Sequence, residues 1–169
     1  MITAMMDALK CIYSKREVRD FLDKEVPEDV IIRILEAGRL AGSAKNRQPW
    51  DFILVKDRQR LRELSRFGNH AEHVKKASFA VVITVRGDYF QDPFDAGRAA
   101  QNMMLAAHTL GVGSCPVTLH DEAGARSFLE VPEDRRIQVC IAFGYPRGVE
   151  RRGKVRRKPL EEVLHRERW

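Results

Sequence analysis

Hydrophobic and polar positions along this chain alternate between two periods. Met6, Leu9 and Ile12 fall near one face of a helix spanning residues 3–13. Val26-Pro27-Glu28-Asp29 marks a second helix start, with proline at or near the first turn and acids close behind. That helix carries Ile31, Ile32, Ile34, Leu35 and Leu40 to Gly42. Residues 50–56 then read as a buried strand, followed by a charged helix from about Asp57 to Phe67. Ser78–Val85 is β-branched and apolar, a second strand. Asp95–Leu110 places Ala96, Ala99, Ala100, Met103, Ala107 and Leu110 at helical spacing, with alanines that permit a close neighbour. Gly111-Val112-Gly113 ends this helix. A short extended segment at 114–118 and a helix at about 121–130 follow. Ile137, Val139, Ile141 and Phe143 alternate as a strand up to Gly144-Tyr145-Pro146. A basic loop and a short helix, Leu160–Arg166, complete the pattern.

This order of elements predicts a mixed α/β chain with a sheet of about four strands. The 169 residues show no internal repeat and no linker, and are read as one domain, 1–169. Apolar (44%) and charged (32%) contents are ordinary for a globular protein. No apolar run approaches the ~18 residues of a membrane span. The N-terminus, with an early acid and no long apolar core, does not read as a signal peptide. Cys11, Cys115 and Cys140 are widely spaced, which argues against a zinc site or disulfide framework and for a reducing, cytoplasmic compartment. Cys115 reads as a small buried apolar residue.

Charge changes the picture more. The net charge is +6, and the excess is concentrated. From Arg147 to Lys158 there are seven basic residues (Arg147, Arg151, Arg152, Lys154, Arg156, Arg157, Lys158) and one acid, Glu150. Three readings compete for this stretch: a solvated surface, a nucleic-acid arm, or an anion site. A second cluster, Lys15, Arg16 and Arg19, lies in S-K-R-E-V-R-D-F. About 30 residues on, A-G-S-A-K-N-R-Q-P-W is a loop of small and amide residues running into an apolar strand. There is no G-x-G-x-x-G after the first strand, so the dinucleotide fingerprint of a Rossmann domain is absent.

In this order and spacing, the two segments resemble the opening of the FMN-dependent nitroreductase family, R-R-S-x-R-x-F followed by A-P-S-x-x-N-x-Q-P-W. R-R-K-P-L-E-E near the C-terminus is similar to the family's basic residue before Pro-Leu-Glu, with Arg157 the best match. The resemblance runs from Lys10 to about Val163. It implies an α+β sandwich with a mixed or antiparallel sheet of four to five strands flanked by helices. It also implies FMN as cofactor, NADH or NADPH as co-substrate, and a homodimer with the flavin at the subunit interface.

The resemblance carries site residues with it. Lys15, Arg16, Arg19, Arg156 and Arg157 would supply cations for the flavin phosphate and ring. Ser43, Asn46 and Gln48 would face ring or ribityl polar groups, often of a flavin bound mainly by the partner subunit. Pro116, Val117, Thr118 and Leu119 would lie behind the flavin, with Thr118 or Leu119 giving a backbone N–H to N5. His73, with Asn69 or His70 near it, would stand by the pyrimidine edge. Trp50 is read as core. Three departures stand out: Lys15 for arginine, Gly42 for proline and Glu17 for serine. A carboxylate beside a phosphate is repelled, so the Glu17 side chain is expected to point away while its backbone contributes.

The leading functional reading is therefore hydride transfer from NAD(P)H through FMN to a nitroaromatic, quinone or enone, with ping-pong kinetics. No side chain is assigned as catalytic, because flavin N5 is the reactive centre. His70 and His73 stand three apart, a metal-compatible spacing, but no third ligand set is visible and no metal is assigned. Two alternatives are a nucleic-acid-binding protein using the basic tail and a flavin-binding module without turnover. The first is weaker, because only Tyr145 and Trp169 stand near that tail. The apolar circumference of Asp95–Leu110 and the coreless tail at about 147–169 are the sequence grounds for a dimer.

Overall fold

The computed structural model describes residues 7–148 and 156–169. Residues 3–6 of the first expected helix, together with Glu150, Arg151, Arg152 and Lys154, lie outside the described residues. Helix α1 spans Ala8–Ser14, its first turn closed by the Asp7 carboxylate accepting from Leu9 N–H. Only Cys11 of α1 is buried; Leu9, Ile12 and Tyr13 face outward. Helix α2 spans Glu28–Arg39, with Pro27 at its N-cap and Glu28 and Asp29 in the first turn. A loop leads to strand β1, Trp50–Val55, and helix α3 follows at Arg58–Leu64, capped by Asp57. The remaining predicted length, to Phe67, is a 3-10 turn.

Strand β2 is Phe79–Val85, helix α4 is Asp92–Thr109, and strand β3 is Gly113–Val117. Helix α4 begins three residues before the expected Asp95, because Pro93 occupies its first turn. Its end is a Schellman motif: Gly111 has φ +76°, its N–H reaches His108 O, and Val112 N–H reaches Ala107 O. Helix α5, Glu122–Phe128, and strand β4, Arg136–Gly144, complete the layers. The predicted terminal helix Leu160–Arg166 is only a 3-10 turn, Leu160–Glu162. Its apolar residues Leu160, Val163 and Leu164 are exposed, and a helix this short does not hold without an apolar face to bury.

The four strands form one antiparallel sheet in the order β1-β2-β4-β3. Strand β2 is buried along its whole length, so its two faces build two cores. Odd residues Phe79, Val81, Ile83 and Val85 pack with Ile141 and Phe143 against α2 and α4, through Ile31, Ile34, Ala99 and Met103. Even residues Ala80 and Val82 pack with Cys140 and Ala142 against Leu61, Leu64, Val74 and Ala125. Helix α2 meets α4 closely at Gly38, where an added Cβ would stand 2.2 Å from Met103 Cε. Trp50 is core, as expected. All three cysteines are buried and none forms a disulfide among the described residues, and burial pushes the Cys140 thiol up to about 12. None of the helices among the described residues is long and apolar enough to cross a membrane.

Candidate functional site

The site begins where the N-terminal segment leaves α1 and laces along the outer edge of β3. Glu17 bridges in parallel to Ser114, and Val18 N–H donates to Ser114 O at 3.0 Å. Farther along, Leu22 N–H donates to Tyr145 O and Arg147 N–H to Asp20 O, while Phe21 bridges Pro146. Two glycines make this approach possible. An added Cβ would meet Val18 Cβ at 2.8 Å from Gly113, and the Phe21 ring at 2.9 Å from Gly144. Residues 15–19 are thereby fixed against the sheet.

Lys15, Arg16 and Glu17 line a cleft of about 380 Å³ together with Ile12, Tyr13, Gln101 and Arg157. The two basic clusters at opposite ends of the chain therefore meet within one chain, at Arg157. The Arg16 guanidinium is braced by the carbonyls of Tyr13 (2.8 Å) and Lys15 (2.7 Å), leaving its charge unneutralised by any carboxylate among the described residues. Lys15 is different: its ammonium is buried and paired with Glu17 at 2.5 Å. Glu17, whose side chain was expected to point away from the phosphate, directs its carboxylate to the Lys15 ammonium. The lacing to Ser114 holds its backbone beside Lys15, and its carboxylate closes on that ammonium. A second, more apolar cleft of about 560 Å³ adjoins, lined by Ser14–Val18, His108 and Gly111–Ser114. His108 accepts or donates a 2.9 Å bond with Ser14. Burial, then the charges of Lys15 and Arg16, hold its pKa below the usual histidine range.

On the far side of β3 lies His73, buried at the start of a 3-10 turn, Val74–Lys76. Burial, and after it the charge of Arg19, lowers its pKa, while the backbone carbonyls of Cys115 and His70 pull the other way. Its ring is consequently neutral at pH 7. The structure thus brings Arg19, His73 and β3 together. Thr118 is exposed just past the strand, its carbonyl only 2.7 Å from where a Cβ on Gly68 would stand. Pro116 is half-buried and Val117 and Leu119 are buried. The Asn69 backbone N–H donates to His120 Nδ1. Three buried polar atoms here have no hydrogen-bond partner among the described residues: Glu17 Oε2, Ser114 Oγ and His73 Nε2.

The amide loop is not part of either cleft in one chain. Residues Ala44–Asn46 form a 3-10 turn in which Lys45 and Asn46 are left-handed, and Gln48 is left-handed as well. Ser43 Oγ accepts from Gln48 N–H (2.9 Å), and Gln48 Nε2 reaches Asn46 O (3.3 Å), so two of the predicted ligand side chains brace the loop itself. The buried Asp95 carboxylate accepts from Ala44 N–H at 2.9 Å and anchors the loop to α4. Sequence reasoning passed over Asp95 as an ordinary helix residue, although an acid at the first turn of an apolar helix invites such a role. Ser114 was missed too; its signal was a hydroxyl inside the otherwise apolar run Val112–Val117. Arg156 is exposed and lines neither cleft.

A family model described as Nitroreductase family matches residues 12–78 and 68–145. The chain belongs to the Nitroreductase family. A relative from Archaeoglobus fulgidus, whose name carries the terms NADH dehydrogenase and NAD(P)H nitroreductase, is 30% identical over 174 residues, covering 98% of this chain and all of the relative. An FMN-dependent nitroreductase from Clostridium difficile superposes with a TM-score of 0.84 at 26% identity, over 95% of this chain and 99% of that one. The fold alone is shared with an NADPH:FMN oxidoreductase from Vibrio harveyi, at TM-score 0.87 and 22% identity, over 95% of this chain and 77% of that one. Like other nitroreductases, this chain keeps the α/β sandwich on an antiparallel sheet.

The nitroreductase residues fit a flavin mononucleotide on their own chemistry. A phosphate needs fixed cations, and Lys15, Arg16 and Arg157 provide them. A polar chain and ring edge need unpaired hydrogen-bonding groups, which Ser114 and His73 retain in buried positions. The one misfit is the Glu17 carboxylate.

Proposed function

We propose that the protein is an NAD(P)H-dependent FMN oxidoreductase that reduces a small organic acceptor such as a nitroaromatic, quinone or enone. The observation that carries this reading is the convergence of Arg157 on Lys15 and Arg16, continuous through Val18 and Ser114 with Arg19 and His73. FMN, when bound, would supply the hydride chemistry between NAD(P)H and the acceptor. The chain's own residues do the rest. Arg16 and Arg157 hold the phosphate, with Lys15 shared between it and Glu17. Arg19 stabilises negative charge at the pyrimidine edge, where its own charge and burial keep His73 neutral and able to hydrogen-bond without adding a cation. The Thr118 or Leu119 backbone N–H positions the ring, and β3 excludes water from one face.

One open face serves both donor and acceptor, so the kinetics are ping-pong. Double-reciprocal plots at several acceptor concentrations test this: parallel lines are expected, and intersecting lines would reject it. The broader reading predicts a yellow protein with about one FMN per chain. A colourless protein that also fails to take up added FMN would end it.

The functional unit is a homodimer with the loop 43–48 of one subunit completing the other's site. Support comes from the outward-facing Leu9, Ile12 and Tyr13 on α1 and from Leu160, Val163, Leu164 and Trp169 on the tail, all exposed in one chain. The expectation that the tail's cations reach a partner is not needed for Arg157, which lies in its own chain's cleft. Sedimentation of apo and FMN-loaded protein over a range of concentrations decides the assembly. A monomer that holds FMN stoichiometrically at micromolar concentration would refute the shared site.

A further inference from the structure

Glu17 stands among the cations of the cleft, its side chain 38% exposed but one carboxylate oxygen buried. Its backbone is held by the bridge to Ser114, and Val18 N–H is bonded to Ser114 O. One carboxylate oxygen lies 2.5 Å from the Lys15 ammonium; the other is buried without a partner among the described residues. The Lys15 side chain is only 8% exposed, so its ammonium depends on Glu17 rather than on water for a partner. The ammonium's other neighbour is Met104 Sδ at 3.7 Å, a weak acceptor. Lys15 is thus already neutralised, whereas Arg16 and Arg157 are not paired with a carboxylate among the described residues.

We propose that Glu17 is a specificity-determining residue that competes with the flavin phosphate for Lys15. The site consequently gives the phosphate less weight than three unopposed cations would, and discriminates less against phosphate-free riboflavin. This rests on the flavin reading above. A phosphate ester carries about −1.5 to −2 charge at neutral pH. Against it the cleft lining offers three cations less one carboxylate. A bound phosphate must either share the Lys15 ammonium or displace Glu17 from it, and a displaced Glu17 gives up its ion pair and still repels the phosphate beside it. Either way the carboxylate opposes the phosphate and leaves the isoalloxazine and ribityl contacts untouched.

The test is equilibrium titration of FMN and of riboflavin, followed by flavin fluorescence, into wild type, Glu17→Gln and Glu17→Ser. In the variants FMN affinity is expected to rise about 10-fold or more, the scale of one charged contact, with riboflavin affinity shifting less than about 2-fold. A second readout does not need tight binding. Without flavin, Glu17→Gln leaves Lys15 buried and unpaired, so the apo melting temperature should fall and FMN should raise it further than in wild type. Riboflavin should not give this extra rise. Equal tightening of both flavins, no change, or weaker FMN binding by the variants would overturn the proposal while leaving the flavin reading intact. Wild type that binds neither flavin would overturn both. If Glu17→Gln fails to fold, Glu17→Ser, which leaves more room, carries the same comparison.

Discussion

Replacing Gly113 by alanine puts one methyl group where the site has no room. The backbone there is ordinary for an L residue, so the substitution adds a purely steric demand. Its Cβ would lie 2.8 Å from Val18 Cβ, 2.9 Å from Cγ2 and 3.0 Å from Cγ1. Comfortable carbon–carbon contacts lie at about 3.5–4.0 Å, so the two segments must part by roughly 0.7–1 Å. Val18 is β-branched and stiff, so no rotamer change relieves the contact at Cβ. The parting stretches the 3.0 Å bond from Val18 N–H to Ser114 O beyond a useful length. Overpacking costs about 1–3 kcal/mol and the lost bond about 1 kcal/mol, giving roughly 2–4 kcal/mol in all. Urea unfolding of the apo protein measures this, and flavin titration measures the second effect. Because residues 15–19 ride on Val18, FMN affinity should fall together with stability. Gly111→Ala separates sterics from backbone: nothing lies within 4 Å of its added Cβ, but its φ of +76° costs about 1–2 kcal/mol. That variant should lose stability and keep FMN. Gly113→Ala with stability within about 0.5 kcal/mol of wild type and unchanged FMN binding would refute the role given to the Val18 contact.

Other outcomes follow from the same geometry. Arg19→Ala and Arg157→Ala should each weaken FMN by about 10- to 150-fold, roughly 1.5–3 kcal/mol, while Arg33→Ala on the exposed side of α2 should do little; equal losses from all three would mean diffuse electrostatics. Asp95→Ala should speed hydrogen exchange at Ala44 and cost about 1.5–3 kcal/mol, because the Ala44 N–H loses a charged acceptor; protection unchanged by the substitution would reject the anchoring role. His73 and His108 both have pKa values below the usual 6.5 in the fold and regain it on unfolding. The unfolded chain therefore binds more protons, so their contribution is complete above pH 6.5 and is lost as pH falls through the folded values. Urea midpoints should drop between about pH 7.5 and pH 5, and less steeply for His73→Gln.

Much of this fold was legible because its strands are unusually pure. Phe79–Val85 is apolar throughout, which only a strand buried on both faces tolerates, and alternation in Ile137–Phe143 fixed the other central strand. Helix ends were read where a side chain states them, as at Pro27 and Gly111. They were missed where propensity misleads: the Leu160–Arg166 stretch has helix formers but nothing to pack on. The site divides similarly. Lys15, Arg16, Arg19 and Arg157 were visible as charge clusters at matching spacings. The Lys15–Glu17 pair was not, because the direction of a carboxylate depends on Ser114, nearly a hundred residues away. Likewise Ser43 and Gln48 looked like ligands, but left-handed backbone at Lys45, Asn46 and Gln48 turns two of their groups inward to brace the loop.

The lacing of residues 17–22 along β3 has a meaning beyond the pocket. A sheet in the order β1-β2-β4-β3 ends at β3, and an uncovered end strand invites pairing with another molecule. Here the covering segment is joined to β3 itself by one parallel bridge and one N–H bond, and its other ties run to residues 145–147 beyond β4. A ligand that grips Lys15, Arg16 and Arg19 pins that segment shut. Cofactor occupancy then becomes a guard against self-association: protein stripped of flavin should turn turbid on mild heating sooner than the loaded form, and substitutions that loosen Val18 should bring that onset to lower temperature.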